Sequence, residues 1–412
     1  MRVCIVGGAG KMAMGAILDF VEHPDVERVV LIDVDAAALR GRAEQLRSPK
    51  VATVVASIGD NKSLVAALTG GGVCLNATFP ELNVPVMEAC LEAGLHYTDF
   101  GGLFHWAKHQ LALHDRFAAA GLTAVAGSGS APGIVNVMTG YAAGQLDTVE
   151  SVRILDGIVN NAPSSSPFAV PYAVMTLVRE FTMDPVSFVD GDWVELEPFA
   201  GGEEVDFPEP VGRQTVFNTI HSEPYTIPVS LRDKGIRQCS FKLSLPKEFE
   251  IKLKLLVQLG LFGLEPVEAG GARVVPSEMT LRLIEQSSRA AGPPGPPDDH
   301  KCLRVVVNGT RGGRDHEITV ETLIHPYAPW GLSMGTSSVG FPAAVTCRLL
   351  GSGAITRRGV FGSEACVPPE PYFAELAKRE IEVTATDRCV LGTSEGASGA
   401  RDKGEARDAG RQ

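Results

Sequence analysis

The chain has 412 residues, of which 44% are hydrophobic and 21% charged, and its formal net charge is −12. That length and apolar content favour two or three domains built around at least one large core. The acidic excess argues against a general nucleic-acid-binding protein, which needs a basic surface to displace phosphate counterions. No apolar run approaches the roughly 18–20 residues of a membrane span, and the N-terminus lacks a signal-peptide pattern. The eight cysteines form no CxxC pair, so we expect a cytoplasmic, reducing setting and no metal.

Short apolar runs alternate with helical stretches over the first 130 residues. The predicted strands are Arg2–Val6, Val29–Ile32, Val73–Asn76, His96–Asp99 and Thr123–Ala126, and the predicted helices are Ala36–Leu46 and Leu82–Ala93. Buried strands that alternate with helices form a parallel sheet covered on both faces. We therefore predict an α/β domain with a doubly wound parallel sheet.

The pattern changes after about Ile134, where strands with partial alternation of polarity predict a second domain. These strands are Ser151–Leu155, Val216–Ile220, Arg237–Leu245, Leu303–Asn308 and His316–Leu323, with Thr310–Gly313 as a hairpin loop. Helices are predicted at Lys247–Leu261, Ser277–Gln286, Phe341–Leu350 and Pro371–Lys378. The second domain is therefore predicted to be of α+β type, with a mixed, largely antiparallel sheet. Residues 292–297 are predicted as a connector, and residues 392–412 as a disordered tail.

A glycine-rich turn follows the first predicted strand and opens the first helix. Residues 8–13 match G-x-G-x-x-G/A, in which Gly8 allows a tight turn and Gly10 lets the backbone approach a pyrophosphate. Asp33 ends the second strand and is expected to accept hydrogen bonds from the adenosine ribose, which favours NAD over NADP. Asp35 is a competing carboxylate, and Arg40 suits a 2′-phosphate, so NADP stays possible. A purely structural turn is the alternative.

Three loops follow carboxyl ends of the predicted parallel strands, where ligands bind in such sheets. They lie at 77–80, 99–102 and 127–133, and the last reads Gly-Ser-Gly-Ser-Ala-Pro-Gly. We expect this backbone to lie against a nicotinamide or a substrate, with a domain hinge as the alternative. The predicted cofactor-binding residues are Gly8, Ala9, Gly10, Lys11, Met12, Asp33, Asn76, Ala77 and Thr78.

Several segments resemble the saccharopine dehydrogenase superfamily, with most likeness to its lysine 6-dehydrogenase-like members. The segments are Gly8–Met12, Pro85–Asp99, Ala131–Ile134, Phe341–Ala344 and Pro368–Phe373. The resemblance implies a Rossmann domain over residues 1–130, completed by C-terminal helices within 340–390, and an α+β substrate domain over 131–339. It also implies oxidation of a C–N bond, or its formation by reduction, with a nicotinamide cofactor. We further expect a homodimer that acts on a small amino-acid substrate.

Three residues are predicted to be catalytic, because hydride transfer beside an amine needs a proton acceptor that titrates near neutrality. Asp99 ends a strand at the ligand-binding edge, and His221 begins a His-Ser-Glu cluster after the Val216–Ile220 strand. Glu180 lies in a segment like the Glu-Tyr-Thr stretch of lysine 6-dehydrogenase-like sequences. Structural alternatives are a turn cap for Asp99 and a surface loop turned by Pro224 for the cluster.

Predicted substrate contacts combine both signs of charge, which suits an ammonium at one end and a carboxylate at the other. They are Glu223, Thr226, Arg213, Pro132 and Gly133. Arg179 and Arg232 are further candidate anchors, and for each arginine a solvated surface charge is the alternative. His96 is expected in the core, and His105 and His109 on the surface rather than on a metal.

The leading functional hypothesis is an NAD-dependent dehydrogenase acting on the CH–NH bond of an amino acid or an amino-acid adduct. A polyamine-forming reductase like carboxynorspermidine dehydrogenase, which shares the superfamily, is the second hypothesis. The third is a protein that binds NAD as a sensor without turnover. The cluster from His221 to Glu223 weighs against a sensor, because a sensor needs no proton shuttle.

Overall fold

Alternating strands and helices occupy the first 144 residues of the computed structural model, which describes residues 1–162, 174–290, 295–389 and 391. In chain order they are β1 (Arg2–Val6), α1 (Met14–Glu22), β2 (Arg28–Asp33), α2 (Ala36–Leu46), β3 (Val51–Val55), α3 (Asn61–Leu68), β4 (Val73–Asn76), α4 (Asn83–Ala93), β5 (His96–Asp99), α5 (Phe104–Leu111), α6 (His114–Ala119), β6 (Thr123–Ala126) and α7 (Ile134–Gly144). The five strands and two helices predicted here are confirmed within one residue at each end.

Longer strands dominate the next part of the chain. Its described elements are β7 (Thr148–Asn160), α8 (Val174–Thr182), β8 (Val186–Val189), β9 (Asp192–Glu195), β10 (Glu203–Asp206), β11 (Arg213–Asn218), α9 (Glu223–Ser230), β12 (Gln238–Ser244), α10 (Lys247–Gln258), β13 (Val267–Ala269), β14 (Ala272–Val274), α11 (Pro276–Ala290), β15 (Asp299–Arg311) and β16 (Arg314–Ile324). The predicted strands are confirmed, although β11 ends two residues early. The hairpin turn is confined to Gly312 and Gly313, which both have positive φ.

The C-terminal part returns to both sheets. Its described elements are α12 (Met334–Gly351), β17 (Gly359–Gly362), α13 (Ser363–Cys366), α14 (Pro369–Ala377) and β18 (Thr384–Cys389). Strand β17 pairs with β6 of the first sheet, whereas β18 pairs with β16 of the second. Residues 340–390 were predicted to complete the Rossmann domain with helices, and they also contribute one strand to each of the two sheets. The predicted tail 392–412 and residues 292–294 of the predicted connector lie outside the described residues.

The first sheet is parallel throughout, in the order β17-β6-β5-β4-β1-β2-β3. The chain runs outward from β1 in one direction to β3 and in the other from β4 to β6, so the order reverses between β1 and β4. Ligands of doubly wound sheets bind beyond the carboxyl ends of the strands at such a reversal. The doubly wound Rossmann-type fold is thereby confirmed.

The second sheet has the order β10-β11-β12-β7-β15-β16-β18, and β8 with β9 extends from β12. Strands β12 and β7 run parallel, and the other paired strands are antiparallel. This confirms the mixed, largely antiparallel sheet. Side chains alternate between its faces, so Ile154 and Ile158 of β7 share one buried face with Leu303 and Val305 of β15.

Helices α1 and α12 pack closely because two glycines lie at their contact. A Cβ on Gly340 would come within 2.5 Å of the Ala16 nitrogen, and one on Gly15 within 2.8 Å of the Thr336 oxygen. The α12 segment therefore covers the helix that follows the glycine-rich turn. This contact fixes the position of the C-terminal part on the first sheet.

Candidate active site

The glycine-rich turn lies at the carboxyl end of β1. Gly7 has φ +79°, and the amides of Gly7 and Gly8 donate to the Ile32 oxygen at 2.8 and 3.1 Å. A Cβ on Gly8 would approach the Leu31 Cβ to 2.8 Å. The tight turn predicted for Gly8 thus belongs to Gly7, and Gly8 is needed for close packing on β2. Gly10 is exposed, so its backbone is open to a ligand.

Asp33 is held beside this turn. Its carboxylate accepts the amides of Ala9 and Asp35, both at 3.2 Å. Asp35 instead caps α2 by accepting two amides at 2.9 Å, so Asp33 is the better ribose candidate. The exposed Arg40 is not the arginine at the turn: the unpredicted Arg42 donates to the oxygens of Ala9 and Gly10 at 3.0 and 3.2 Å.

Residues after β4 form the other wall of the crevice. Asn76 is buried, and its Oδ1 accepts the Thr78 amide at 3.2 Å and the Thr78 hydroxyl at 2.7 Å. Thr78 and Ala77 lie so close to the turn that a Cβ on Gly7 would meet both within 3.0 Å. Lys11 is exposed and Met12 half-buried at the helix entry. These positions fit a dinucleotide whose pyrophosphate lies on the turn and whose ribose reaches Asp33.

The Asp99 side chain is buried and accepts hydrogen bonds from two of the loops at the ligand-binding edge. Its carboxylate accepts Tyr97 Oη at 2.8 Å, Gln110 Nε2 at 2.6 Å, and the amides of Gly101 and Gly127, each at 2.8 Å. Burial raises the pKa of Asp99, and these four hydrogen bonds oppose that rise. The geometry therefore supports the turn-capping alternative, and makes Asp99 a positioning residue.

Pro132 and Gly133, which were predicted to contact the substrate, pack against the loops that Asp99 joins. The Pro132 ring fills the space beside two glycines, since a Cβ on Gly101 or Gly127 would come within 2.4 or 2.5 Å of it. The Gly133 amide donates to Asn136 Oδ1 at 2.9 Å. Both residues are buried, so they support the conformation of the loop rather than form its exposed surface.

His221 lies between β11 and α9, in a buried cluster with two glutamates. Its Nδ1 is 2.9 Å from Oε2 of Glu223, and its Nε2 is 3.4 Å from Oε1 of Glu180. The imidazole stacks on Phe241, with ring centroids 3.7 Å apart. The alternative of a loop turned by Pro224 is wrong, because Glu223 and Pro224 begin helix α9. Glu180 and His221, predicted as catalytic residues, and Glu223, predicted as a substrate contact, are thus neighbours.

The cluster holds a proton on His221. Burial lowers the pKa of His221, but Glu223 and Glu180 together raise it to about 10. The imidazole is therefore cationic at neutral pH, which does not fit the predicted base that titrates near neutrality. Oε1 of Glu223 is buried and has no hydrogen-bond partner in the described part of the chain.

Two charged residues of this region were not predicted. Asp156 of β7 and Lys301 of β15 form an ion pair, with Oδ2 and Nζ 3.0 Å apart. Burial raises the pKa of Asp156; Lys301 and His221 lower it and Glu180 raises it, so the pair shares the electrostatic environment of the cluster. A sequence signal existed, because each residue interrupts an apolar alternation along its strand.

The predicted carboxylate anchors lie elsewhere. Arg213 is exposed on the β10–β11 hairpin and forms a bidentate pair with Asp206 at 2.6 and 2.9 Å, so the substrate role predicted for it is wrong. Arg179 pairs with Glu81 across the two domains at 2.5 Å, and Arg232 is exposed.

Thr226 belongs to a polar network between α7, α9 and α13. Its Oγ1 accepts Asn136 Nδ2 at 3.4 Å, and the same Nδ2 donates to Glu364 Oε2 at 2.7 Å. Glu364 Oε1 accepts the Ser230 hydroxyl at 2.7 Å. This network supports a structural role for Thr226.

Three further histidines were assigned an environment from the sequence, and the core position predicted for His96 is only partly confirmed. His96 is half-buried, and its Nδ1 accepts the Thr123 amide at 3.0 Å. His105 and His109 are exposed. Within the described residues, no group of three or more His, Cys, Asp or Glu side chains is placed to hold a metal ion. No helix among the described residues has both the length and the apolar content that a membrane span requires.

The fold and site together define a class. A doubly wound parallel sheet with a nucleotide-type glycine turn, joined to a second sheet beside a buried histidine and two glutamates, is the architecture of a two-domain NAD(P)-binding oxidoreductase. The chain belongs to the saccharopine dehydrogenase family. Residues 3–125 match the family's NADP binding domain, and residues 129–381 match its C-terminal domain.

Relatives of known activity cover most of the chain at low identity. Carboxyaminopropylagmatine dehydrogenase of Synechocystis is 24% identical over 405 residues, which span 92% of this chain and 95% of the relative. Carboxynorspermidine synthase of Vibrio cholerae is 25% identical over 325 residues, spanning 73% and 74%.

Solved structures agree with the fold. Apo saccharopine dehydrogenase (L-Glu forming) of Saccharomyces cerevisiae matches with a TM-score of 0.71 at 14% identity, covering 94% of this chain and 99% of that one. Homospermidine synthase of Legionella pneumophila, solved in complex with NAD, matches with a TM-score of 0.62 at 11% identity, covering 98% and 95%.

Proposed function

We propose that the chain catalyses NAD(P)-dependent reduction of an imine that joins an amine to a carboxylate-bearing aldehyde, or the reverse oxidation. The product class is a polyamine that carries a carboxyl group. The named relatives support this class, because the products in their names combine an amine chain with a carboxyl group. The polyamine-forming hypothesis thereby takes precedence over a lysine 6-dehydrogenase.

The position of His221, buried with one ring nitrogen facing Glu223 and the other facing Glu180, is the observation that carries the proposal. Reduction of C=N adds a hydride to carbon and a proton to nitrogen, and the nicotinamide supplies the hydride when bound. His221 holds its proton between Glu223 and Glu180, and the longer contact is at Nε2. We assign Nε2 as the atom that gives the proton to the imine nitrogen. The two carboxylates then favour reprotonation of the ring.

The charge of the cluster suits an amine. Three carboxylates (Asp156, Glu180 and Glu223) against two cations (His221 and Lys301) leave one net negative charge when all are ionised. The unpartnered Oε1 of Glu223 is an acceptor that an ammonium would satisfy. An alcohol or hydroxy acid would leave this buried charge unpaired, which is costly.

The test incubates the purified chain with NAD⁺ or NADP⁺ and each substrate of a panel, and it measures the reduced cofactor that forms. Carboxynorspermidine, lysine and saccharopine represent the three amine classes, and a hydroxy acid serves as the control. We expect turnover of carboxynorspermidine above the others. Turnover restricted to lysine or saccharopine would return the proposal to the amino-acid dehydrogenases. Cofactor binding without any turnover would support the sensor.

A further inference from the structure

Lys301 occupies a position where an apolar residue would be expected. On β15 it shares a face with Leu303, Val305 and Val307, which are fully buried. Its ion pair with Asp156 is buried as well. Replacement of a buried ion pair by apolar residues of similar size is often neutral or stabilising. Stability alone therefore does not explain a lysine at this position.

The ammonium reaches from the second sheet to the ligand-binding edge of the first. Nζ lies 3.0 Å from Asp156 Oδ2 and 3.4 Å from the hydroxyl oxygen of Ser130. Ser130 belongs to the glycine-rich loop after β6. Asp156 Oδ1 is buried and lacks a hydrogen-bond partner among the residues that the structure describes. An ammonium has three donors, and the contact with Ser130 is long enough to be exchanged for a ligand oxygen.

We infer that Lys301 is the anchor for the substrate carboxylate, and that the site accepts adducts with one carboxylate in preference to those with several. The inference rests on the proposed function and names its substrate class. It places the carboxylate at Lys301 and Ser130, and the reacting nitrogen at the His221 cluster.

Three other basic residues in the described part of the chain are already paired or exposed. The buried Arg348 pairs with Asp19 of α1 and with Glu375 of α14. Arg179 pairs with Glu81, and Arg213 is exposed. Of the residues that the structure does not describe, 163–173 and 291–294 contain no Lys or Arg, whereas 392–412 contain Arg401, Lys403, Arg407 and Arg411. A second or third substrate carboxylate would therefore meet a cluster whose net charge is already negative.

A pair of ligands that differ by one carboxylate tests the anchor. The dissociation constants of carboxynorspermidine and norspermidine are measured by calorimetry on the full chain saturated with reduced cofactor, with which neither amine can react. Wild-type protein is expected to prefer carboxynorspermidine by roughly 10- to 100-fold, the value of one charge-assisted contact. The double variant Lys301→Met with Asp156→Asn keeps a neutral pair in place, and it should lose that preference.

Two controls separate the anchor from general effects. Asp156→Asn alone keeps the ammonium and should keep the preference. Lys242→Met removes a lysine from the opposite face of the same sheet, where Lys242 contacts the Gly201 oxygen, and should also keep it.

The outcomes distinguish this inference from the function on which it rests. A preference that persists in the double variant, or disappears in Asp156→Asn, would overturn the anchor while leaving the proposed function intact. A wild-type chain that binds neither amine would overturn both. Saccharopine bound more tightly than carboxynorspermidine would overturn the single-carboxylate specificity.

Discussion

His221 binds its proton more tightly in the folded chain than in the unfolded one. Its pKa of about 10 lies above the unfolded value of about 6.5. The stabilisation is therefore complete below pH about 6.5 and is lost as the pH rises through about 10. The slope is at most about 1.4 kcal/mol per pH unit. Urea unfolding across this range should show a steeper decline for wild type than for His221→Gln. Parallel declines would contradict the assigned pKa.

His221 also predicts the pH dependence of turnover. Because it acts as an acid in imine reduction, the rate should be level near neutrality and fall as the pH rises through about 10. His221→Gln should lower turnover by about 10²–10⁴-fold and leave cofactor affinity unchanged. Steady-state rates and cofactor titrations measure the two effects separately. Unchanged turnover in this variant would assign the proton to Glu180.

Asp33 predicts a preference for NAD. Asp33→Ala should weaken NAD binding by about 1.5–3 kcal/mol, because hydrogen bonds to a charged group disappear. NADP should lose less, since its 2′-phosphate meets like charge in the wild type. Fluorescence titration with both cofactors checks the change. Tighter binding of NADP than NAD by the wild-type chain would disprove the preference.

Residue types predicted only part of the site. His221 and Glu223 were recognisable because polar residues cluster directly after an apolar strand, and the structure places Glu180 beside them. Arg213 was misleading, because composition does not reveal whether an arginine already has a partner such as Asp206. Lys301 was missed although it interrupts an apolar alternation, because the sequence does not show that its strand pairs with the strand that carries Asp156.

At the scale of elements, the contact of α1 with α12 depends on Gly340. Gly340→Ala should lower the free energy of unfolding by about 1–3 kcal/mol, because the added methyl group would overlap the backbone of α1. Gly41→Ala is the matched control: Gly41 lies in α2, and no atom would stand within 4 Å of its Cβ. That control should stabilise the chain by about 0.5–1 kcal/mol. Equal effects in denaturant unfolding would contradict the proposed contact.

Elements were predicted best where burial is complete on both faces. Strands β1, β2, β4 and β6 consist mostly of apolar residues, but β3 lies at the sheet edge and is only half-buried, which weakens its signal. The pairing of β12 with β7, and of β18 with β16, joins segments distant in sequence. Local patterns carry no information about such partners, so the strand order required the structure.

At the scale of the whole molecule, the homodimer remains a prediction. Ile251 and Leu255 of helix α10 and its C-cap residue Leu259 follow one another at four-residue spacing, and each is more than half exposed. Exposed apolar groups of this kind mark interaction surfaces, and a second copy would bury them. We expect light scattering to give about twice the chain mass of 43.6 kDa. A mass of one chain at all concentrations would exclude the dimer.

The C-terminal strands β17 and β18 pair with strands that are synthesised much earlier, and this order affects how the chain folds during synthesis. Strand β17 begins at Gly359 and completes the edge of a sheet whose first strand begins at Arg2. On a ribosome, the nucleotide-binding half therefore keeps an open edge beside β6 until residues 359–362 have emerged. Open strand edges invite aggregation. Expression should consequently depend on chaperones, and a chain cut before residue 334 should be insoluble rather than a working half.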